Sequence, residues 1–495
     1  MSHESRFASV TDPTDLDKLR AAIAAAPEAD RLVNLGLRTL VISDRATDEV
    51  PGAVAAELSR AGVALEKARV FIVVDSTRIE RAGHDLKAQI ANTLSETYTV
   101  TTIILGDNAH LQADDATLDE ATEAIRGADC VVTIGGGTIT DIGKVATGRN
   151  RDVPLIVVQT AASVDGFTDN VSVILRNGVK RTIDSRWPEV VLADTTTIAG
   201  APLSMNTAGF GEVLSLYTAP ADWELAHLFG FDDTFHLTPR DMLLEFAGNP
   251  AEWGAGLEHG DSAAVTQLTR VLAIRGIGTG VAGSTACLSG VEHLISHMLD
   301  MYSASHDLEI GLHGAQVGVG SVVAAAAWEY LLERLAADTG ELTFPDDDAL
   351  ESQVSAAFSW CDPSGEKSAE CWSDYRQKLV LWRSAQAKLS GSSDQWRAAI
   401  GSLSKSVPTP ASLAESLVIA GAAVSPADLG DWLTDDVWRW AVSNCNFMRN
   451  RFTVVDLLFF FGWWTESDVT EVISRSHTAT AAATAAAASA AGVRR

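Results

Sequence analysis

One stretch limits the possible folds of this chain more than any other: Asp129 to Lys144, DCVVTIGGGTITDIGK. Cys130 to Ile134 is a short apolar run with β-branched residues, the pattern of a strand buried on both faces of a parallel sheet. Gly135, Gly136 and Gly137 follow at once, and Ile142 to Thr147 continues as a helix. Thr138, Thr140 and Asp141 are the side chains available to start that helix. A strand, a glycine turn and a helix N-terminus in succession make an anion site. Glycine lets the backbone come close to a pyrophosphate, and the first N–H groups and the helix dipole favour negative charge. The spacing differs from G-x-G-x-x-G, and a triple glycine also serves as a plain turn.

The flanking sequence repeats the same alternation. Thr39 to Ser43, Val70 to Val74, Val100 to Leu105, Pro154 to Val158 and Val190 to Ala193 read as strands, and Leu118 to Arg126 as an amphipathic helix. This predicts an open, mostly parallel, Rossmann-like α/β domain over residues 31–200. Ligands of such sheets bind beyond the carboxyl ends of the strands, where Asp75, Asp107, the triple glycine and Thr160 fall. Residues 1–30 read as a polar leader ending in an alanine-rich helix. After about residue 200 strand-like runs stop, and residues 201–475 read as an all-α domain. Residues 476–495 (HTATAAATAAAASAAGVRR from His477) read as a disordered or weakly helical alanine-rich tail.

With 495 residues the chain is long enough for two large domains. Its formal net charge of −28 argues against nucleic acid or an anionic membrane surface as a partner, since both require a basic face. A small anionic substrate needs only a local positive pocket. The five cysteines (130, 287, 361, 371 and 445) are scattered, with no C-x-x-C, which points to a reduced, cytoplasmic setting. The N-terminus lacks the apolar core of a signal peptide, and the apolar run Val454 to Trp464 is too short to insert across a bilayer.

Three places in the helical half carry metal-ligand residue types: Glu212, the pair His293 and His297, and His313. His293 and His297 are four apart and share one helix face, with Asp300 a turn further on. One carboxylate and two imidazoles are the usual protein share of a catalytic divalent-metal site with an open position. An H-x-x-x-H pair in an alanine-rich helix is also common without a metal, and His227, His236 and His259 carry no such signal.

Six ordered segments then coincide with one family: GGGTITDIGK, TAASVDGF (Thr160 to Phe167), AGFGE followed by YTAPADW, SGVEHLISH, LHGAQVGVG, and MRNRFTVVDLL (Met448 to Leu458). Over roughly residues 35–475 the chain resembles the sn-glycerol-1-phosphate dehydrogenases. These lie within the superfamily of iron-containing alcohol dehydrogenases, glycerol dehydrogenases and 3-dehydroquinate synthases. The resemblance implies a dehydroquinate synthase-like fold and NAD(P)H-linked reduction of dihydroxyacetone phosphate to sn-glycerol 1-phosphate. It further implies one divalent ion (zinc, nickel or iron) and a homodimer that acts on a small phosphorylated ketone or polyol.

The same resemblance implies residue roles. Gly135, Gly136, Gly137, Thr138 and Asp141 would hold the dinucleotide's pyrophosphate. Thr160 and Ser163 would lie near its nicotinamide half. Asp75 would take the adenine-side ribose, favouring NAD over NADP. Glu212, His293 and His313 would bind the metal. Asp165 and His297 would contact the substrate and serve catalysis, with Glu212 also at the substrate. Five positions depart from the family's pattern: Glu212 for Asp, Asp169 for Ser, Leu216 for Lys, Ala315 for Glu and Gln159 for Pro. Glu at the first metal position is what the dehydroquinate synthases carry, so a sugar-phosphate cyclase stands as an alternative, as does a dehydrogenase of another polyol or polyol phosphate.

Overall fold

The computed structural model describes residues 7–106, 111–151, 153–176, 179–337, 343, 345–391 and 393–493. Asp107 lies outside them. The chain divides into two compact units. One comprises residues 1–209 with 238–283, and the other residues 210–237 with 284–495.

The strands in chain order are β1 (Thr39–Ser43), β2 (Arg69–Asp75), β3 (Glu80–Arg81), β4 (His84–Asp85), β5 (Thr99–Leu105), β6 (Cys130–Gly135), β7 (Leu155–Gln159), β8 (Val171–Arg176), β9 (Val179–Asp184) and β10 (Val190–Asp194). Six of them form one sheet in the order β1-β10-β7-β6-β2-β5, with every pair parallel. The expected strands are present to within about a residue at each end. The burial of β6, β7 and β10 along their whole lengths explains their unbroken apolar runs. The hairpins β3–β4 and β8–β9 were not anticipated.

From β2 the chain steps outward to β5, then returns to place β6 on the other side of β2. The order of the sheet reverses there, which is where a parallel sheet opens a crevice for a ligand. Asp75 ends β2 and Gly135 ends β6, and the two strands pair in register from Val70↔Cys130 to Val73↔Thr133.

The boundary expected at residue 200 is only partly observed. Residues 238–283, which include the Ser262–Ala282 helix, belong to the sheet unit. The N-terminal segment includes a helix, Leu16–Ala24, whose Leu16, Leu19 and Ile23 are buried. The tail expected to be disordered continues a helix, Glu466–Val493, with Val469, Val472 and Ile473 buried at its start and Ala479 and Thr480 still covered. Alanine is the strongest helix former, and packing of the first turns supplies the nucleus that alanines then extend.

The second unit is helical around a core rich in stacked aromatic rings, such as Trp382 on Phe460 at 4.3 Å. One of its helices, His313–Ala337, is long and apolar enough to cross a membrane, but 83% of its most apolar window is buried inside the protein. Its hydropathy is accounted for by that core.

Candidate metal centre and dinucleotide turn

The glycine turn takes its shape from close packing. None of the three glycines has a positive φ. A Cβ at Gly135 would press on Ile139 at 3.0 Å, and one at Gly137 would meet Val164 at 2.8 Å. At Gly136 a Cβ would meet no atom within 4 Å, so this backbone faces open space. The Gly137–Arg149 helix starts with Gly136 as N-cap and no side-chain cap. The caps expected from Thr138, Thr140 and Asp141 are therefore not made. Thr138 is exposed, and the Thr140 hydroxyl donates back to Gly136 O at 3.1 Å.

Asp141 is turned away from the turn. It accepts from Val173 N at 3.2 Å and lies 3.1 Å from the Lys144 ammonium. Lys144, fully buried, also pairs with Asp169 at 2.7 Å and donates to the carbonyls of Gly166 and Val171. The unusual carboxylate at Asp169 thus has a local partner. Burial raises its pKa to about 7 against the pull of Lys144. Sequence reading attached no role to Lys144, which ties the helix after the glycine turn to the loop of Asp165 to Asp169.

Asp75 sits at the end of β2, where it accepts from Lys87 Nζ at 2.6 Å and from Thr77 N at 3.2 Å. Thr160 follows β7, with its N–H on Gly135 O at 3.3 Å, and Ser163 is buried. Gln159, in place of proline, donates its amide to Ala161 O at 3.0 Å. Asp165 accepts from Nε of the fully buried Arg275 at 3.1 Å. Arg275 lies on the Ser262–Ala282 helix, and beside it Gly276 is packed so tightly that a Cβ would fall 2.4 Å from Asp165 O.

In the helical unit the expected ligands meet. One donor atom from each of Glu212, His293 and His313 lies within 4.8 Å of the others. His293 Nε2 is 3.2 Å from Glu212 Oε1, and His313 Nε2 is 3.8 Å from Oε2. Close helix crossings bring them together. A Cβ at Gly211 would strike Gly314 O at 2.3 Å, and one at Gly320 would lie 3.0 Å from Glu292 Cα. The glycines of AGFGE and LHGAQVGVG therefore let backbones touch, which sets the donors side by side.

The remaining imidazole nitrogens are also engaged. Glu292 Oε1 accepts from Gly290 N at 2.6 Å, and Oε2 accepts from the Thr218 hydroxyl at 2.8 Å. The same Oε1 lies 2.9 Å from His293 Nδ1, so Nδ1 donates to it, and Nε2, which faces Glu212, is the nitrogen that would give up its proton to an ion. Ser296 donates to Gln316 Oε1 at 2.6 Å and lies 2.8 Å from His313 Nδ1. Its one hydrogen being spent, Ser296 accepts from Nδ1, and His313 also turns Nε2 toward Glu212. Glu292, Ser296 and Gln316 were missed from sequence. Glu292 adjoins His293 in the SGVEHLISH segment, and its acid was the one available signal. His297 is buried and its ring stacks on that of His313, with centroids 5.7 Å apart. Leu216 is buried, and Ala315 packs on the helical core.

The donor set is one carboxylate with two imidazoles whose tautomers are fixed by their other partners. It fits a divalent transition ion better than magnesium or calcium, which prefer oxygen.

A model of the iron-containing alcohol dehydrogenase family matches residues 39–202. A protein of Geobacillus thermodenitrificans named glycerol-1-phosphate dehydrogenase (NAD(P)+) is 31% identical over 256 residues, 52% of this chain and 63% of that one. This chain thus spans less than two thirds of that relative. Proteins of the same name from Methanosarcina acetivorans and Haloquadratum walsbyi are 32% and 31% identical, with 69% and 79% of their lengths covered. Among solved structures, a probable glycerol dehydrogenase from Sinorhizobium meliloti aligns over 90% of this chain and 98% of its own, with a TM-score of 0.54 at 14% identity. A maleylacetate reductase from a Rhizobium species aligns with a TM-score of 0.52, at 17% identity and over 90% and 97% of the two chains.

Proposed function

The chain belongs to the iron-containing alcohol dehydrogenase family, on the branch of proteins named glycerol-1-phosphate dehydrogenase, and from that membership we propose that it reduces dihydroxyacetone phosphate to sn-glycerol 1-phosphate with NAD(P)H. The observation that carries this reading is the meeting of Glu212, His293 and His313, each imidazole with Nδ1 engaged elsewhere. When bound, the dinucleotide supplies hydride and the divalent ion polarises the substrate carbonyl.

The chain's own residues supply position and charge. Gly135, Gly136, Gly137 and Thr138 bind the pyrophosphate on uncapped N–H groups, with Thr160 and Ser163 beside the nicotinamide half. Asp141 supports the turn through Lys144. Glu212, His293 and His313 hold the ion. Asp165, oriented by Arg275, accepts a substrate hydroxyl, and His297 contacts the substrate and passes it a proton. Asp75 takes the adenine-side ribose. Its carboxylate is paired with Lys87, which offsets the repulsion of a 2′-phosphate, so NADPH is accepted along with NADH. The five buried cysteines, none in a disulfide, accord with a reducing cytoplasm. A homodimer follows from the family alone, and sedimentation would check it.

The test is NADH and NADPH consumption by metal-reconstituted protein with dihydroxyacetone phosphate, dihydroxyacetone and glyceraldehyde phosphate. Net oxidation of the dinucleotide fastest with the first substrate supports the proposal. Turnover of dihydroxyacetone alone would transfer it to a polyol dehydrogenase, and a sugar phosphate converted without net NADH loss would make it a cyclase.

A further inference from the structure

The segments YTAPADW and MRNRFTVVDLL have no part in the chemistry above, yet both lead to the start of the helix that carries His293. That helix, Val291–Ser305, begins at Gly290 with no side-chain cap of its own. The acceptor for its first N–H comes from another helix, Ala219–Phe229. There Asp222, 2% exposed, accepts from Val291 N at 3.1 Å with Oδ2. Its Oδ1 accepts from Val454 N at 3.0 Å and from Trp328 Nε1 at 3.2 Å. We propose that Asp222 is a positioning residue for the metal centre, which holds the main chain at Val291 and thereby fixes where His293 presents its ring. The proposal rests on the reading of Glu212, His293 and His313 as metal ligands.

The surroundings of Asp222 support it. Thr218 and Asp222 stand four apart at the start of one helix and share a face. The Thr218 hydroxyl donates to Glu292 Oε2 at 2.8 Å, and Glu292 Oε1 in turn lies 2.9 Å from His293 Nδ1. One turn of helix therefore grips both the main chain ahead of His293 and the carboxylate that orients its ring. Gly290 leaves room for this grip, since a Cβ there would fall 2.6 Å from Asp222 Oδ2 and 3.1 Å from Glu292 Oε2. Trp328 lies on the helix of His313, and Val454 starts the Val454–Phe460 helix. A single buried carboxylate thus ties three helices to its own, and each donor it releases would be left buried without an acceptor. Burial and the neighbouring Glu292 raise the Asp222 pKa, while the two main-chain N–H groups pull it down.

A cap that only stabilises the fold is the competing explanation. The experiment measures zinc affinity by competition with a chelator in full-length wild type, Asp222→Asn and Tyr330→Phe, with a thermal melt of each. Asparagine keeps the shape but has one acceptor oxygen. When that oxygen takes Val454 N and Trp328 Nε1, the NH2 group faces Val291 N and repels it. Zinc affinity should then fall by about tenfold. Tyr330→Phe is the control. It lies on the same helix as Trp328 and loses a buried hydrogen bond to Asp468 at 2.5 Å, so its melting temperature should fall while its zinc affinity stays at the wild-type value. Wild-type affinity in Asp222→Asn, whatever its melting temperature, would overturn the proposal and leave the metal centre standing. An equal loss of affinity in Tyr330→Phe would do the same. A wild type that takes up no ion, with nickel and iron(II) also tried, would remove the metal centre and this proposal together. If Asp222→Asn fails to fold, hydrogen exchange in the wild type decides. Zinc should slow exchange at Val454, on the far side of Asp222, as well as at Val291, and an unchanged rate at Val454 would overturn the proposal.

Discussion

Glu292 and its chain neighbour His293 are hydrogen-bonded side chain to side chain at 2.9 Å, and that bond decides which ring nitrogen faces Glu212. An outer carboxylate of this kind orients the ring and raises its basicity as a ligand. Glu292→Gln keeps the shape but cannot match all three donors now directed at the carboxylate. Its metal affinity should fall by about 10- to 100-fold, measured by competition with a chelator. An unchanged affinity would show that Glu292 does not set the tautomer.

His293→Ala and His313→Ala should each lose stoichiometric metal and activity together while still binding NADH. His297→Ala should keep the metal and bind substrate more weakly. Elemental analysis separates the cases: metal lost from the His297 variant and retained by the His293 variant would mean their roles are exchanged.

The ion-free centre should also respond to pH. Burial alone disfavours the imidazolium of His293, but Glu212 and Glu292 outweigh it and push the pKa up to about 9. The folded value lies above the ordinary 6.5, so the charged ring stabilises the ion-free fold. That contribution is complete below about pH 6.5 and is lost as pH rises through about 9. An ion needs the deprotonated nitrogen, so metal affinity should rise with pH over the same interval, with proton release on uptake. Metal titrations at both ends of that interval, with equal affinities, would refute this.

Gly136→Val places its side chain in open space, so the fold should hold while NADH binding is lost, because the branched side chain occupies the approach of the pyrophosphate. Calorimetry with NADH, beside a thermal melt, checks both halves.

Gly276→Ala has the opposite character. Its methyl group would sit 2.4 Å from Asp165 O and 2.3 Å from Thr168 Oγ1, and relieving that overlap should cost about 1–3 kcal/mol. The urea midpoint should fall, and kcat should fall with it as Asp165 is displaced.

The sheet was legible because each strand is a short, β-branched apolar run, and runs such as Val190 to Ala193 have no other reading at that length. The Ser262–Ala282 helix clusters with the sheet unit, and helical periodicity says nothing about which unit receives a helix. Arg275 and Gly276, which place it against Asp165, carry no local signal. Glu212, His293 and His313 could be named from ordered motifs. Ser296 and Gln316 could not, since a serine and a glutamine among alanines and glycines are ordinary in sequence and acquire meaning only through the nitrogen they leave exposed. The pairing of Asp75 with Lys87 is not legible in sequence, because Lys87 stands twelve positions away across a hairpin.

The contact of Gly211 with Gly314 would limit the choice of ion at the proposed centre. Where two backbones already touch, the main chains that carry Glu212 and His313 cannot draw closer, so a smaller ion would have to be met by side-chain rotation alone. A side chain added at Gly211 would force the two backbones apart. If these residues hold an ion, discrimination by radius would rest on a side chain that the sequence omits at Gly211.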